Sequence, residues 1–180
     1  MLAIFVALLS VLSPVVLSGG SEGPSEYQVK AAFLLNFARF VEWPASGAQA
    51  SEPFVVVVFG KDPFGPVLDQ AMAGKTVNGR PLQVRRVTDP AALRTCQMAF
   101  IAASESRRSG EILAALSGSA VLTVSESGGF ARRGGMINFV VDENHVRFEI
   151  NPGSATRAGL KVSSKLLQLA IVVRDGSEGK

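Results

Sequence analysis

The sequence predicts a single α/β domain: a mostly parallel, Rossmann-like sheet finished by a C-terminal β-hairpin and a helical tail. Three observations predict it. Phe54-Val55-Val56-Val57-Val58-Phe59 is apolar without alternation, which marks a strand covered on both faces. Short apolar runs then alternate with helix-like segments as far as Val124, the rhythm of βαβ units. Beyond Gly128 the pattern changes to two strands around Asp142-Glu143-Asn144, which reads as a hairpin.

The elements follow in order. Residues 1–20 carry no charge, and the apolar stretch Leu2 to Leu17, broken by Pro14 and followed by Ser18-Gly19-Gly20, reads as a signal-peptide core and cleavage region. It is too short for a stable membrane span, which needs about 20 apolar residues. No Lys or Arg precedes the core and no A-x-A closes it; a buried hydrophobic N-terminus is the alternative. Residues 21–25 are then a linker, 26–175 the domain and 176–180 a disordered tail. Ser25 and Gln28 form a capping box ahead of a helix over Glu26 to Glu42, with Phe33, Phe37, Phe40 and Val41 on its apolar face and Pro44 stopping it. After the valine strand come a turn at Gly60 to Pro63 and a short helix over Phe64 to Ala73. Strands follow over Leu82 to Val87, Met98 to Ala102 and Ala120 to Val124, with a helix from about Ser106 to Leu116 before the last of them. Gly128-Gly129 and Gly134-Gly135 bracket Phe130-Ala131-Arg132-Arg133 as a glycine-hinged loop. The hairpin pairs Met136 to Val141 with His145 to Ile150. In its second strand Val146, Phe148 and Ile150 alternate with Arg147, Glu149 and Asn151, predicting one buried and one wet face. Asn151-Pro152 supplies an N-cap and a first-turn proline. The tail breaks near Gly159 and restarts as a helix at Ser163 or Ser164.

Composition narrows the function. Without the leader about 160 residues remain, one domain with a sizeable core. The net charge of +3 is spread over arginine pairs (Arg85-Arg86, Arg107-Arg108, Arg132-Arg133), not gathered in a run. A nucleic-acid groove needs clustered cations with stacking aromatics, and none is visible. An exported chain has no cytosolic ATP, nucleotide or chromosomal DNA as an everyday partner. Cys96 is the only cysteine, so no internal disulfide can form, and its apolar surroundings predict a buried or half-buried thiol.

Motifs for chemistry fail one by one. Gly74-Lys75-Thr76 resembles the end of a P-loop, but Asp69 stands where a glycine is required. The Gly60 to Gly65 turn ends in Pro66-Val67 instead of Lys-Ser/Thr. Arg86-Val87-Thr88-Asp89 matches a short R-x-x-D pattern that coincidence explains. His145 is the single histidine and has no visible triad or metal partners, so a structural or solvated role is expected. No catalytic residue, cofactor or metal is expected.

Four blocks resemble one family. They are Glu26-Tyr27-Gln28-Val29-Lys30-Ala31-Ala32-Phe33-Leu34-Leu35-Asn36-Phe37 with Phe40-Val41-Glu42-Trp43-Pro44; Gly129-Phe130-Ala131-Arg132-Arg133-Gly134-Gly135-Met136-Ile137-Asn138-Phe139; Val146-Arg147-Phe148-Glu149-Ile150-Asn151; and Ala158-Gly159-Leu160-Lys161-Val162-Ser163-Ser164-Lys165-Leu166-Leu167-Gln168-Leu169-Ala170. On these the chain is similar to the YfiR-like family of small periplasmic proteins, from about Glu26 to Val173. The resemblance implies a homodimer-forming, non-enzymatic regulator. Its partner would be the periplasmic sensor domain of an inner-membrane diguanylate cyclase, held inactive, or of a sensor kinase. Members that use internal disulfides for redox tuning need paired cysteines, and Cys96 has no mate.

The function expected first is therefore an exported regulator that works by protein binding. A periplasmic small-solute-binding module is the rival, since Rossmann-like sheets bind ligands beyond their carboxyl strand ends; a hydrolase is the weakest option. The partner surface is expected on the C-terminal third, at Phe139, Glu149, Arg157, Lys161, Leu166 and Gln168, as an apolar centre with a charged rim. The alternative is that its leucines are core and its charges solvated. Phe130, Arg132 and Arg133 in the glycine-hinged loop are the second candidate.

Overall fold

The computed structural model describes residues 23–44 and 52–176. The expected signal peptide and residues 177–180 of the expected tail lie outside the described residues. The chain runs α1 (Glu26–Phe40), β1 (Val41–Glu42), β2 (Phe54–Phe59), α2 (Pro66–Met72), β3 (Thr76–Val77), β4 (Arg80–Val87), β5 (Met98–Ile101), α3 (Ser109–Ala115), β6 (Leu122–Ser125), β7 (Ile137–Asp142), β8 (His145–Ile150), α4 (Pro152–Arg157), β9 (Lys161–Val162), α5 (Ser164–Leu169) and β10 (Ile171–Val172). Eight strands form one sheet in the order β10-β8-β7-β6-β5-β2-β4-β3. From β4 to β7 every neighbour is parallel. The β7–β8 hairpin then reverses direction, and β10 lies parallel to β8. This is an α/β domain with a mostly parallel sheet.

The unalternating β2 run explains itself at once, because all six residues are buried. Phe54, Val56 and Val58 face the core shared with α1, α2 and α5, through Leu34, Phe37, Leu68 and Leu166. Val55, Val57 and Phe59 face the second core with Leu93, Ile112, Leu116 and Phe130. Burying each such side chain contributes about 1.5–3 kcal/mol, so a central strand with two covered faces anchors the fold. The phenylalanine face of α1 is core as well. Phe33 and Phe37 each lie 5.1 Å from Phe148, and Phe37 lies 5.6 Å from Phe139, measured between ring centroids.

Local signals are found where the sequence put them. Ser25 and Gln28 form both halves of the capping box. The Asn151 side chain accepts from the Ser154 N–H, with Pro152 in the first turn of α4. Ser163 caps α5 by accepting from the Leu166 N–H. Glu143 and Asn144 turn the hairpin with positive φ, 46° and 62°.

Four elements differ from expectation. The first helix stops at Phe40 rather than Glu42, because Val41 and Glu42 pair with Val162 and Lys161 as a two-stranded antiparallel sheet. The Ser163 N–H completes this tie by donating to the Phe40 carbonyl at 3.0 Å. The expected helix from Ser106 is a 3₁₀ segment, Ala103–Arg108, before α3 begins. The tail ends in β10, not in helix. Finally, the wet face of β8 is wet only at Arg147, because Glu149 and Asn151 are buried.

Candidate functional site

The buried Glu149 has a local cause. The loop before β7 makes left-handed turns at Gly129 (φ 72°) and Gly134 (φ 97°), where a Cβ would be strained. Those turns drive the Phe130 ring into the second core, fully buried. Arg132 is thereby laid across β8. Its Nε and Nη2 donate to Glu149 Oε1 at 3.1 and 2.7 Å. A paired carboxylate can be buried where an unpaired one could not. Asn151 joins the loop to the end of β8, its amide donating to the Ala131 carbonyl at 2.9 Å. The loop is thus fixed to the sheet.

The chain after α5 returns to the same place. Ile171 and Val172 stand in register with Glu149 and Ile150 of β8. The Val173 N–H donates to the Ile150 carbonyl at 2.9 Å, and the Gly176 N–H to the Arg132 carbonyl at 3.0 Å. Between them Asp175 accepts from the Asn151 amide and from the Arg157 guanidinium, both at 2.7 Å. A strand of two residues is held by the polar contacts that follow it.

What this segment presents outward is apolar. Leu169 is 73% exposed, Ile171 42% and Val172 53%. The other exposed large apolar residues among those described, Phe40 and Val141, stand apart in sequence. Only this stretch concentrates three within four positions, which singles it out as a surface. β10 is the outermost strand on its side of the sheet. Near the opposite edge β4 carries Arg80, Pro81, Arg85 and Arg86, the charges and proline that discourage edge-to-edge pairing. The β10 edge has no such guard within the strand. Ile171, Val172 and Val173 line a groove of about 330 Å³ with Arg132 and Arg174 at its sides. An apolar floor beside guanidinium groups is the anatomy of a partner surface.

The residues expected from sequence divide here. Phe139 and Leu166 are buried in the core, as is Phe130, so none of them supplies the apolar centre of an exposed surface. Their hydrophobicity belongs to packing against α1 and the sheet. Glu149 is committed to Arg132. Arg157 is exposed but paired with Asp175, and Lys161 and Gln168 are exposed. Arg133 is exposed and donates to the Gly128 carbonyl at 2.7 Å. The apolar residues sequence reasoning missed are Ile171 and Val172. They belong to the apolar run Ile171-Val172-Val173, just past the tail helix that the sequence predicts through Ala170.

The remaining motifs have structural roles. Arg86 donates to Asp62 (2.6 Å) and Asp69, tying β4 to the turn and helix after β2. Its guanidinium holds the Asp69 carboxyl below the ordinary value. Asp89 caps the following 3₁₀ turn by accepting from the Ala91 N–H at 2.9 Å, so the R-x-x-D match is two separate structural contacts. His145 is exposed at the hairpin. Cys96 is 4% exposed, and burial pushes its thiol up to about 12. Among the described residues no group of three or more His, Cys, Asp or Glu could hold a metal ion.

With the geometry in place, comparison with known families decides the relationship. The model of YfiR/HmsC-like proteins matches residues 27–171 of this chain. The chain belongs to the YfiR/HmsC-like family. YfiR/HmsC-like proteins are periplasmic regulators rather than enzymes, and they interact with membrane signalling proteins. In this YfiR/HmsC-like chain no helix among the described residues is long and apolar enough to cross a membrane. The match begins within α1 and ends at the first residue of β10, so it takes in every strand of the sheet but the last residue of β10.

Proposed function

We propose that this protein is an exported periplasmic regulator. It binds the periplasmic domain of an inner-membrane signalling protein, a diguanylate cyclase in the first instance, and lowers its cyclic di-GMP output. The observation that carries the reading is the apolar edge at Leu169, Ile171 and Val172, set beside Arg132 and Arg174. Such an edge offers backbone hydrogen bonds for strand addition and an apolar floor for side chains. Exposed Lys161 and Gln168 and the Arg157–Asp175 pair extend the same C-terminal region. A second copy of the chain could use this edge too, so homodimerisation and partner binding compete or combine there.

Repression by binding has a thermodynamic requirement. The regulator must bind the inactive conformation of its partner more tightly than the active one, since equal affinity shifts nothing. Holding a partner at 99:1 from 1:99 needs about 5.5 kcal/mol of such preference. A signal that weakens the complex then releases the partner.

The edge is testable without disturbing the core. Ile171→Lys and Val172→Lys place a charge on half-exposed positions and should leave the melting temperature close to that of the wild type. Each should weaken binding of the purified sensor domain at least about thirty-fold, the effect of a central apolar contact worth about 2 kcal/mol. Unchanged affinity in both, measured by titration calorimetry, would move the surface elsewhere. Charge reversal at Glu149 is a poor probe, because it breaks the buried pair with Arg132.

A further inference from the structure

The β10 edge has little to hold it in place by itself. Two of its residues stand in register with β8, and a pairing that short has no independent stability. Its position is set by the bonds that follow it, from Val173 to the Ile150 carbonyl and from Gly176 to the Arg132 carbonyl. One side chain stands between those two acceptors. Asn151, 1% exposed, follows Ile150 in the chain and is bonded to Ala131, the neighbour of Arg132.

Every polar atom of Asn151 is engaged. Its backbone N–H donates to the Met136 carbonyl at 2.8 Å, and its own carbonyl accepts from the Ala155 N–H at 3.3 Å. Oδ1 accepts from the Ser154 N–H at 3.1 Å, the cap of α4. Nδ2 donates to the Ala131 carbonyl in the glycine-hinged loop at 2.9 Å and to Asp175 Oδ1 in the tail at 2.7 Å. Only a primary amide of this reach supplies one acceptor and two donors. Aspartate would keep the cap but set an acceptor against two acceptors, and serine has a single proton to give. The other ties on Asp175 are weaker. Arg157 and Asp175 leave 60% and 49% of their side chains in water, and exposed ion pairs contribute little. The Ser154 hydroxyl adds only a long contact, 3.4 Å. The Asn151 amide has no water to turn to, so its bond to the carboxylate is the stronger hold on the tail.

We propose that Asn151 is the positioning residue of the docking edge. By tying Asp175 to the glycine-hinged loop it fixes where Ile171 and Val172 stand, and through them it sets the affinity for the signalling partner. The inference rests on the reading of this edge as the partner surface. Asn151 is buried and touches no partner; it acts through Asp175 and the backbone of β10. A residue that served the core alone would change stability and leave the affinity of the folded protein as it was.

Two measurements on the purified protein, both well below its melting temperature, test this. NMR reads the amide shifts of the tail, and titration calorimetry reads binding of the purified periplasmic domain of the membrane cyclase. Asn151→Asp keeps the α4 cap and loses both donor bonds. The amides of Val172, Val173 and Gly176 should move toward random-coil shifts while those of Val56 and Val57 in β2 stay in place. Partner binding should weaken about tenfold, the factor by which the seated tail is depleted. Adding Asp175→Asn gives the new carboxylate a donor to face and should recover part of both effects. Leu68→Val, in the buried core under α2, lowers stability and should change neither. Unmoved tail shifts in Asn151→Asp overturn the proposal, as does an equal loss of affinity in Leu68→Val. Moved shifts with full affinity overturn it as well, and Ile171→Lys then says how far. If Ile171→Lys weakens binding, the edge reading stands without Asn151; if it does not, the edge reading itself has failed.

Discussion

Among the described residues, Lys30 and Glu149 are the two charged side chains the fold buries, and each is tolerated for the same reason. Glu126 and Glu26 hold one; Arg132 holds the other. The Lys30 arrangement makes a prediction about pH. The folded-state values of Lys30 and Tyr27 both lie above their ordinary ones, Lys30 through its bonds to Glu126 and Glu26 outweighing burial, and Tyr27 through burial and the nearby Glu126 charge. A group raised on folding stabilises the native state fully below its unfolded value, and that contribution is lost as pH rises through the folded one. Thermal stability should therefore hold through neutral pH and fall from about pH 9 upward, first through the Cys96 thiol and then, above about pH 10, through Tyr27. Tyr27→Phe should flatten the part of the fall above about pH 10. A melting series from pH 8 to 12 that declines identically in wild type and variant would assign the loss to other groups. Cys96 adds an earlier component to the same fall, because burial raises its thiol from 9.0 to about 12, so its share of stability is lost from about pH 9 upward.

At the scale of elements, the loop before β7 is the least forgiving piece of the chain. A Cβ built on Gly135 would stand 2.2 Å from the Phe130 ring, which is fully buried and cannot swing away. Gly135→Ala should cost at least about 1–3 kcal/mol by overpacking. Phe130→Leu in the same chain should recover part of that cost, a non-additivity that chemical denaturation can read. Full additivity would mean that the ring and the glycine are not in conflict. The elements also show what sequence could and could not reveal. The β2 run, the capping box, the hairpin turn and the Asn151 cap were legible because each depends on residues within a few positions. β1 with β9, and β10 beside β8, were not. Strands of two residues carry no periodicity, and their partners lie about 120 and 22 residues away, so tertiary pairing alone creates them. The alternation read in β8 failed for a related reason. Glu149 and Asn151 look like a solvent face until Arg132 and Asp175 arrive from elsewhere to satisfy them. Phe139 and Leu166 misled in the opposite sense, because an apolar residue next to charges fits a surface and a core equally well.

Over the whole molecule, the design separates support from contact. The central parallel strands, covered on both faces, and the Phe33–Phe37–Phe139–Phe148 cluster hold the domain together. One sheet edge is guarded by arginines and a proline; the other ends in Ile171 and Val172, bare to solvent and latched by Asp175 and Gly176. A protein built to act alone gains nothing from such an edge, whereas one built to hold a partner needs it. Membership of the YfiR/HmsC-like family points the same way. Cyclic di-GMP in living cells tests the claim most directly, compared among the wild type, a strain lacking the gene, and that strain carrying either the wild-type gene or Ile171→Lys. The account predicts that loss of the gene raises the nucleotide, that the wild-type copy lowers it again, and that the variant, exported and folded to the same level, does not. An unchanged level on deletion, or full repression by Ile171→Lys, would contradict it.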